Sequence, residues 1–309
     1  MKTLIVVTGP TGSGKTDLAI DIAESLDTEI VSADSRQIFR GIPIGTAVPD
    51  STQLARVKHH FIETLNLDEY YSAAMYEEQA LEVLDNIWHT RDYAVMCGGS
   101  MMYIDAVTNG IDPLPTIRPD IRERALGIYE SGGIEAIRAT LSNLDPDYLA
   151  TCDINNHRRL IHAVEISLQA GVPYSSLRSG AKKERPFRII KMAIDHPREV
   201  LFDRINRRVD TMISAGLEAE AARVYPLRHL NSLNTVGYKE LFAVIDGTMT
   251  RDIAIPRIAK NTRVYAKKQL LWLSKDPTVI MLDPQRPLLQ QALDAINPRN
   301  SASTRDDKS

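Results

Sequence analysis

Eight consecutive residues near the start of the chain, Gly9-Pro10-Thr11-Gly12-Ser13-Gly14-Lys15-Thr16, are of types and at spacings that could do chemistry. They fit G-x-x-x-x-G-K-[ST], the pattern of a phosphate-binding loop. Glycines let the backbone turn tightly and aim its N–H groups at phosphate oxygens. A following helix N-terminus adds partial positive charge, Lys15 adds a full one, and the Thr16 hydroxyl can hold Mg²⁺. The loop marks a phosphate-handling protein without saying which phosphate. A second candidate is Asp34, in Asp34-Ser35-Arg36-Gln37, which has three open readings: helix N-cap, Mg²⁺ ligand or general base. Ser100, behind Gly98-Gly99, is either a cap or a hydroxyl beside the ligand, since glycines at a strand end let backbone approach a bound molecule. Arg204 and Arg208 share one helix face at i,i+4, as a solvated basic face or as a second clamp on phosphate.

The elements that must position these residues follow from hydrophobic periodicity. Leu4-Ile5-Val6-Val7 reads as a buried strand entering the loop, and Asp17 to Ala23 as an amphipathic helix leaving it. Glu29 to Ala33, Tyr93 to Cys97, Phe187 to Ile194 and Thr278 to Leu282 read as further strands. In an open α/β sheet, ligands sit at the carboxyl ends of the strands, so Asp34 and Ser100 fall on the loop's edge. Ser72 opens a helix whose apolar stripe is a core face. His59 and His60 are adjacent and point to different sides, so they read as one packed and one exposed histidine and not as a metal pair. Three prolines between Asp112 and Pro119 read as a domain boundary. Beyond them the pattern is helical and polar with no convincing strand: a helix from Asp120, another from Gly133, and one from Asn156 to Gln169 stopped by Gly171-Val172-Pro173. A long helix carrying Arg257, Lys260, Arg263, Lys267 and Lys268, with no acidic residue from Arg257 to Lys268, reads as a basic rod facing something anionic.

The expected fold is α/β: a P-loop NTPase-like, mostly parallel sheet with helices on both faces, built from 1–114 and 186–296, plus a helical insertion domain, 115–185. A polar tail, 297–309, is expected to be disordered. The 309 residues suffice for a sizeable core, and 43% hydrophobic with 25% charged residues is ordinary for a globular enzyme. A formal net charge of −3 argues against non-specific nucleic-acid binding, so any such partner must be held by local patches. Two cysteines without a C-x-x-C pair fit a reducing cytoplasm, and no apolar run is long enough to span a membrane.

Taken together, several short motifs resemble the bacterial tRNA dimethylallyltransferase family, also called tRNA isopentenyltransferase. They are the loop itself, Asp34-Ser35-Arg36-Gln37, Gly45-Thr46-Ala47, His59-His60, Gly98-Gly99-Ser100-Met101-Met102-Tyr103, Arg158-Arg159-Leu160 with Glu165, Val236-Gly237-Tyr238-Lys239, and Ala266-Lys267-Lys268-Gln269 with Trp272. Each motif is weak alone; their order from residue 2 to about 275 is specific. The resemblance implies that the loop binds the diphosphate of dimethylallyl diphosphate with Mg²⁺, assisted by Arg208, and does not hydrolyse ATP. It implies transfer of the prenyl group to the exocyclic amine of the adenosine 3′-adjacent to the anticodon, with the anticodon stem-loop of tRNA as partner. Asp34 becomes the general base or amine-orienting group, and Ser100, a Thr in most relatives, a hydroxyl near that amine. Ser35, Arg36, Gln37, Arg122, the stretch Arg158-Arg159-Leu160-Ile161-His162, Gly237-Tyr238-Lys239 and Lys267-Lys268-Gln269 fall on tRNA-contacting motifs. His162 stands where relatives often have Arg, and Phe39 where Tyr is usual. A monomer is expected. A free-nucleotide isopentenyltransferase and a small-molecule kinase are the competing classes; the former needs no helical insertion, and the latter should show an arginine-rich lid.

Overall fold

Thr3 to Thr8 form strand β1, buried at every residue, as befits a strand covered on both faces. In the computed structural model, which describes residues 1–112 and 114–297, β1 leads through the phosphate loop into α1 (Lys15–Ser25). There follow β2 (Ile30–Ser32), the short α2 (Pro43–Thr46) and α3 (Ser51–Arg56), β3 (His59–His60), α4 (Ala73–Trp88), β4 (Tyr93–Gly98) and α5 (Met101–Asn109). Three helices come next: α6 (Pro119–Leu144), broken at Gly133, α7 (Pro146–Thr151) and α8 (His157–Ala170). The chain ends with β5 (Arg188–Ile194), α9 (Arg198–Ser214), α10 (Leu217–Val224), α11 (Tyr238–Ile245), α12 (Arg251–Leu273), β6 (Ile280–Leu282) and α13 (Leu288–Ile296). Contacts divide it into two units: Met1–Thr108 with the chain from Arg185 onward, and Asn109–Glu184.

The first unit is a six-stranded sheet in the order β3-β2-β4-β1-β5-β6, with every pairing parallel. Strand alternation sends Leu4 and Val6 into one core layer, with Met96, Tyr76 and Tyr238, and Ile5 and Val7 into the other, with Leu18, Ile22 and Met192. Helices therefore cover both faces of the sheet, and all strands deliver their carboxyl ends to one edge. Ser72 caps α4, its hydroxyl accepting from the Met75 N–H. His59 and His60 are both half-buried, not one packed and one exposed, because β3 is an edge strand of two residues whose neighbours cover each side partly. His60 pairs with Glu29 at 2.7 Å, and no cluster of three or more metal-ligating side chains occurs among the described residues.

The second unit is helical among its described residues. Ile137, Leu141, Leu160, Val164 and Ile166 make its core between α6 and α8. Asp145, fully buried, accepts from the Tyr148 and Ser175 N–H groups and the Ser175 hydroxyl, so its charge is saturated with donors. Asn156 caps α8, and Gly171 closes it with φ 70°. The expected tail, 297–309, lies outside the described residues beyond Asn297.

The basic run from Arg178 to Lys191 is largely structural. Arg178 sits over the rings of Tyr148 and Tyr174, Arg185 is buried against Glu77 at 2.7 Å, and Lys191 is buried against Asp276 at 2.8 Å. The basic rod is a single helix, α12, which carries Arg257, Lys260, Arg263, Lys267 and Lys268.

Candidate active site

The phosphate loop is shaped by its own backbone and braced by other elements. Gly14, the N-cap of α1, has φ 88°, a backbone conformation that favours glycine and turns the first N–H groups of the helix outward. Its carbonyls are held from outside: Arg204 Nε donates to Gly12 O at 2.6 Å, and His196 Nε2 lies 2.8 Å from Ser13 O. The Thr11 N–H donates to Gln269 Oε1 at 3.1 Å. Buried Ser13 Oγ has no partner among the described residues. The loop opens on a cavity of about 440 Å³ walled by Ala47-Val48-Pro49 and, from α9, by Arg207 and Arg208. Of the i,i+4 pair, Arg204 braces the loop while half-buried Arg208 faces the cavity.

Two cations at the cavity, Lys15 and Arg208, are partly withdrawn from water. Burial pushes the Lys15 ammonium below its ordinary value, with Arg208 adding to the effect and Cys97 and Asp34 opposing it. Burial likewise lowers the Arg208 guanidinium, against Asp34. Cations partly withdrawn from water regain that energy from a bound polyanion. The Thr16 hydroxyl meets the Cys97 thiol in the first turn of α1 and is a single hard donor. Mg²⁺ keeps several waters and binds through one or two protein oxygens plus substrate phosphates, so this sparse donor set fits it.

Asp34 follows β2 on the same edge. Its Oδ1 accepts from the N–H groups of Arg36 (2.9 Å) and Gln37 (3.3 Å), closing a turn. Ser100 accepts from the Ser35 N–H at 2.8 Å and donates to Ser35 Oγ at 3.1 Å, so its hydroxyl fixes the Asp34 turn. Arg36 is pinned to the carbonyls of Asn231 and Ser232, and Gln37 to those of Thr46 and Ala47. Burial lowers Arg36, opposed by Tyr103, Asp34 and Tyr265; the last is 39% exposed on α12, so the turn has an aromatic rim.

Four residues expected at an RNA surface are buried instead. Gln269 is 3% exposed and spends its amide on Thr11 and on Gly99 O, at 2.8 Å. Tyr238 is fully buried and donates to Glu220, which also accepts from the Ile44 and Gly45 N–H groups. Leu160 and Ile161 belong to the core of the second unit. A side chain enclosed by its own protein has no surface to offer a polynucleotide, and these four motif positions position other elements. Arg36 and Gln37 are likewise committed to internal carbonyls. Gly237 is the buried N-cap of α11, with its N–H on Glu240 at 2.9 Å.

Lys239, Lys267 and Lys268 are exposed. In the second unit, Arg158, Arg159 and His162 are exposed on the first turns of α8, whose first turn carries no acidic residue. Positive charge at a helix N-terminus opposes the helix dipole, so it adds nothing to the fold there and suits an anion. Arg122 and His162 both face the buried carboxylate of Glu165, at 3.4 and 3.7 Å.

Sequence reasoning missed His196, Gln269 and Arg204 as braces of the loop. Only the strand-end position of His196, just past β5, could have signalled its part.

Comparison with known proteins gives a consistent result. The family model described as IPP transferase matches residues 37–276. A tRNA dimethylallyltransferase 2 of Parabacteroides distasonis is 50% identical over 92% of this chain and 95% of its own length. A tRNA dimethylallyltransferase 1 of Phocaeicola vulgatus is 49% identical over 96% and 99% respectively. Among solved structures, the full-length tRNA isopentenylpyrophosphate transferase of Bacillus halodurans superposes with TM-score 0.71 at 30% identity, covering 100% of this chain and 99% of that one.

Proposed function

The chain belongs to the IPP transferase family, and from that premise we propose that it prenylates tRNA. The dimethylallyl group of dimethylallyl diphosphate passes to the exocyclic amine of the adenosine 3′-adjacent to the anticodon, and diphosphate leaves. The observation that carries this reading is one sheet edge that holds both a phosphate loop and a carboxylate turn: Asp34 lies near enough to Lys15 and Arg208 to oppose the fall in both their proton affinities.

The loop N–H groups, Lys15 and Arg208 hold the diphosphate and stabilise the charge it gains as the allylic C–O bond breaks. Thr16 would hold a Mg²⁺, which when bound would offset part of the negative charge on that leaving group. As the allylic carbon ionises, the adenine amine supplies the electron pair of the new C–N bond. Asp34, with Oδ1 anchored in its turn, takes the amine proton on its remaining oxygen, a contribution of about 10²–10⁴-fold. Ser100 holds the turn through Ser35 and acts by position. The base must leave the anticodon-loop stack to reach this edge, as in other enzymes that work on a base. Exposed Arg158 and Arg159 on α8, and Lys267 and Lys268 on α12, contact RNA phosphates.

Incubation with labelled dimethylallyl diphosphate and either unmodified tRNA or AMP tests the reading. Label in tRNA alone is expected; label in AMP alone would make the chain a free-nucleotide enzyme.

A further inference from the structure

Gln269 joins the two halves of the candidate site. Its Oε1 accepts from Thr11 in the phosphate loop (3.1 Å), and its Nε2 donates to Gly99 O (2.8 Å), one residue before Ser100. Ser100 in turn holds Ser35, and so the turn of Asp34. A Cβ on Gly99 would stand 2.3 Å from Gln269 Nε2, so the glycine leaves the space that the amide occupies. The bridge needs a side chain that donates at one end and accepts at the other, which an amide of this length does and a carboxylate or thioether does not. The same helix is fastened on either side, by Asn261 Nδ2 to Glu240 (2.6 Å) and by Trp272 Nε1 to Asp105 (2.9 Å). Exposed Lys267 and Lys268 flank the amide within its own turn. A load on those cations therefore acts on the turn that grips both half-sites.

We propose that Gln269 is a positioning residue that couples RNA binding on α12 to diphosphate binding in the loop, so that each ligand tightens the site for the other. This rests on the reading of α12 as RNA-facing given above. By linkage, the two ligands must raise each other's affinity by the same factor, and such couplings are typically about 5–150-fold.

Calorimetric titration of the full chain with inorganic diphosphate and Mg²⁺, with and without a saturating unmodified anticodon stem-loop, measures that factor. In the wild type, RNA should tighten diphosphate binding at least about five-fold. Gln269→Met should bring the factor close to one while leaving affinity for RNA alone near wild type. Gly99→Ala, which crowds the same amide from the other side, should do the same. If Gln269→Met fails to fold, Gln269→Glu, which can accept from Thr11 but cannot donate to Gly99, takes its place with the same expectation. Wild-type coupling retained in these variants, or none in a wild type that binds RNA, would overturn the inference alone. A wild type that binds no RNA would overturn the RNA-facing reading of α12 and the inference with it.

Discussion

Asp34 holds a turn by its geometry and is proposed as the base. Its Oδ1 caps the turn to Arg36 and Gln37, which an asparagine carbonyl would do about as well. The turn and the proposed base therefore separate cleanly in Asp34→Asn, which keeps the first and removes the second. Single-turnover rates with both substrates saturating should fall by about 10²-fold or more. A near-wild-type rate would leave Asp34 a cap only. Lys15→Ala tests the other half of the site. Its ammonium, held down by burial, is the loop's own full charge. Its loss should weaken diphosphate binding and nearly abolish turnover while RNA affinity stays within about two-fold, since phosphate contacts elsewhere carry that term. A matching loss of RNA affinity would show that the sites are not separable.

At the scale of elements, the sheet's carboxyl edge depends on β5, which places His196 beside the loop. The strand carries a buried lysine, Lys191, whose cost is offset by Asp276. Burial alone would raise the Asp276 carboxyl; hydrogen bonds from Lys191 and Thr278 outweigh it and hold it at about 2, against an ordinary 3.8. The folded value is the depressed one, so below the ordinary value the unfolded chain binds more protons. The stabilisation is thus complete above about pH 4 and is lost as pH falls through about 2. It amounts to about 2 kcal/mol. Lys191→Met should cost part of this, about 1 kcal/mol at pH 7, and make the acid limb of stability between pH 4 and 2 shallower, with the Thr278 bonds remaining, as read from urea midpoints. An acid limb as steep as the wild type's would assign it to other carboxylates.

Over the whole molecule the net charge is −3, so attraction to RNA must come from where the cations stand and not from their number. Arg158 in the helical unit and Lys268 in the sheet unit are exposed. Arg158→Ala and Lys268→Ala should each weaken stem-loop binding and reduce its salt slope by roughly one counterion. Unchanged slopes in both would put the RNA elsewhere. Gln269→Met, by contrast, should leave the slope as it is, because its side chain is enclosed and neutral.

The parts of this protein written in short stretches of chain were legible directly. The phosphate loop, the strands at Leu4 and Tyr93, the Ser72 cap and the Gly171 stop each depend on sterics and periodicity within a few residues, which no distant neighbour overrides. The side to which a polar or basic motif residue turns is a different kind of property. Lys267, Lys268 and Gln269 are consecutive, yet two are in solvent and one is enclosed, because a helix rotates about 100° per residue and what lies opposite is decided by other segments. Gln269 meets a loop 258 residues earlier in the chain, and Lys191 meets Asp276 across 85. Tyr238 and Leu160 sat in motifs that suggested an RNA surface and are packed into cores. Which cations stay free for phosphate and which are spent on the fold is therefore decided by tertiary packing, since burial is a property of pairs of surfaces and the sequence supplies only one surface at a time.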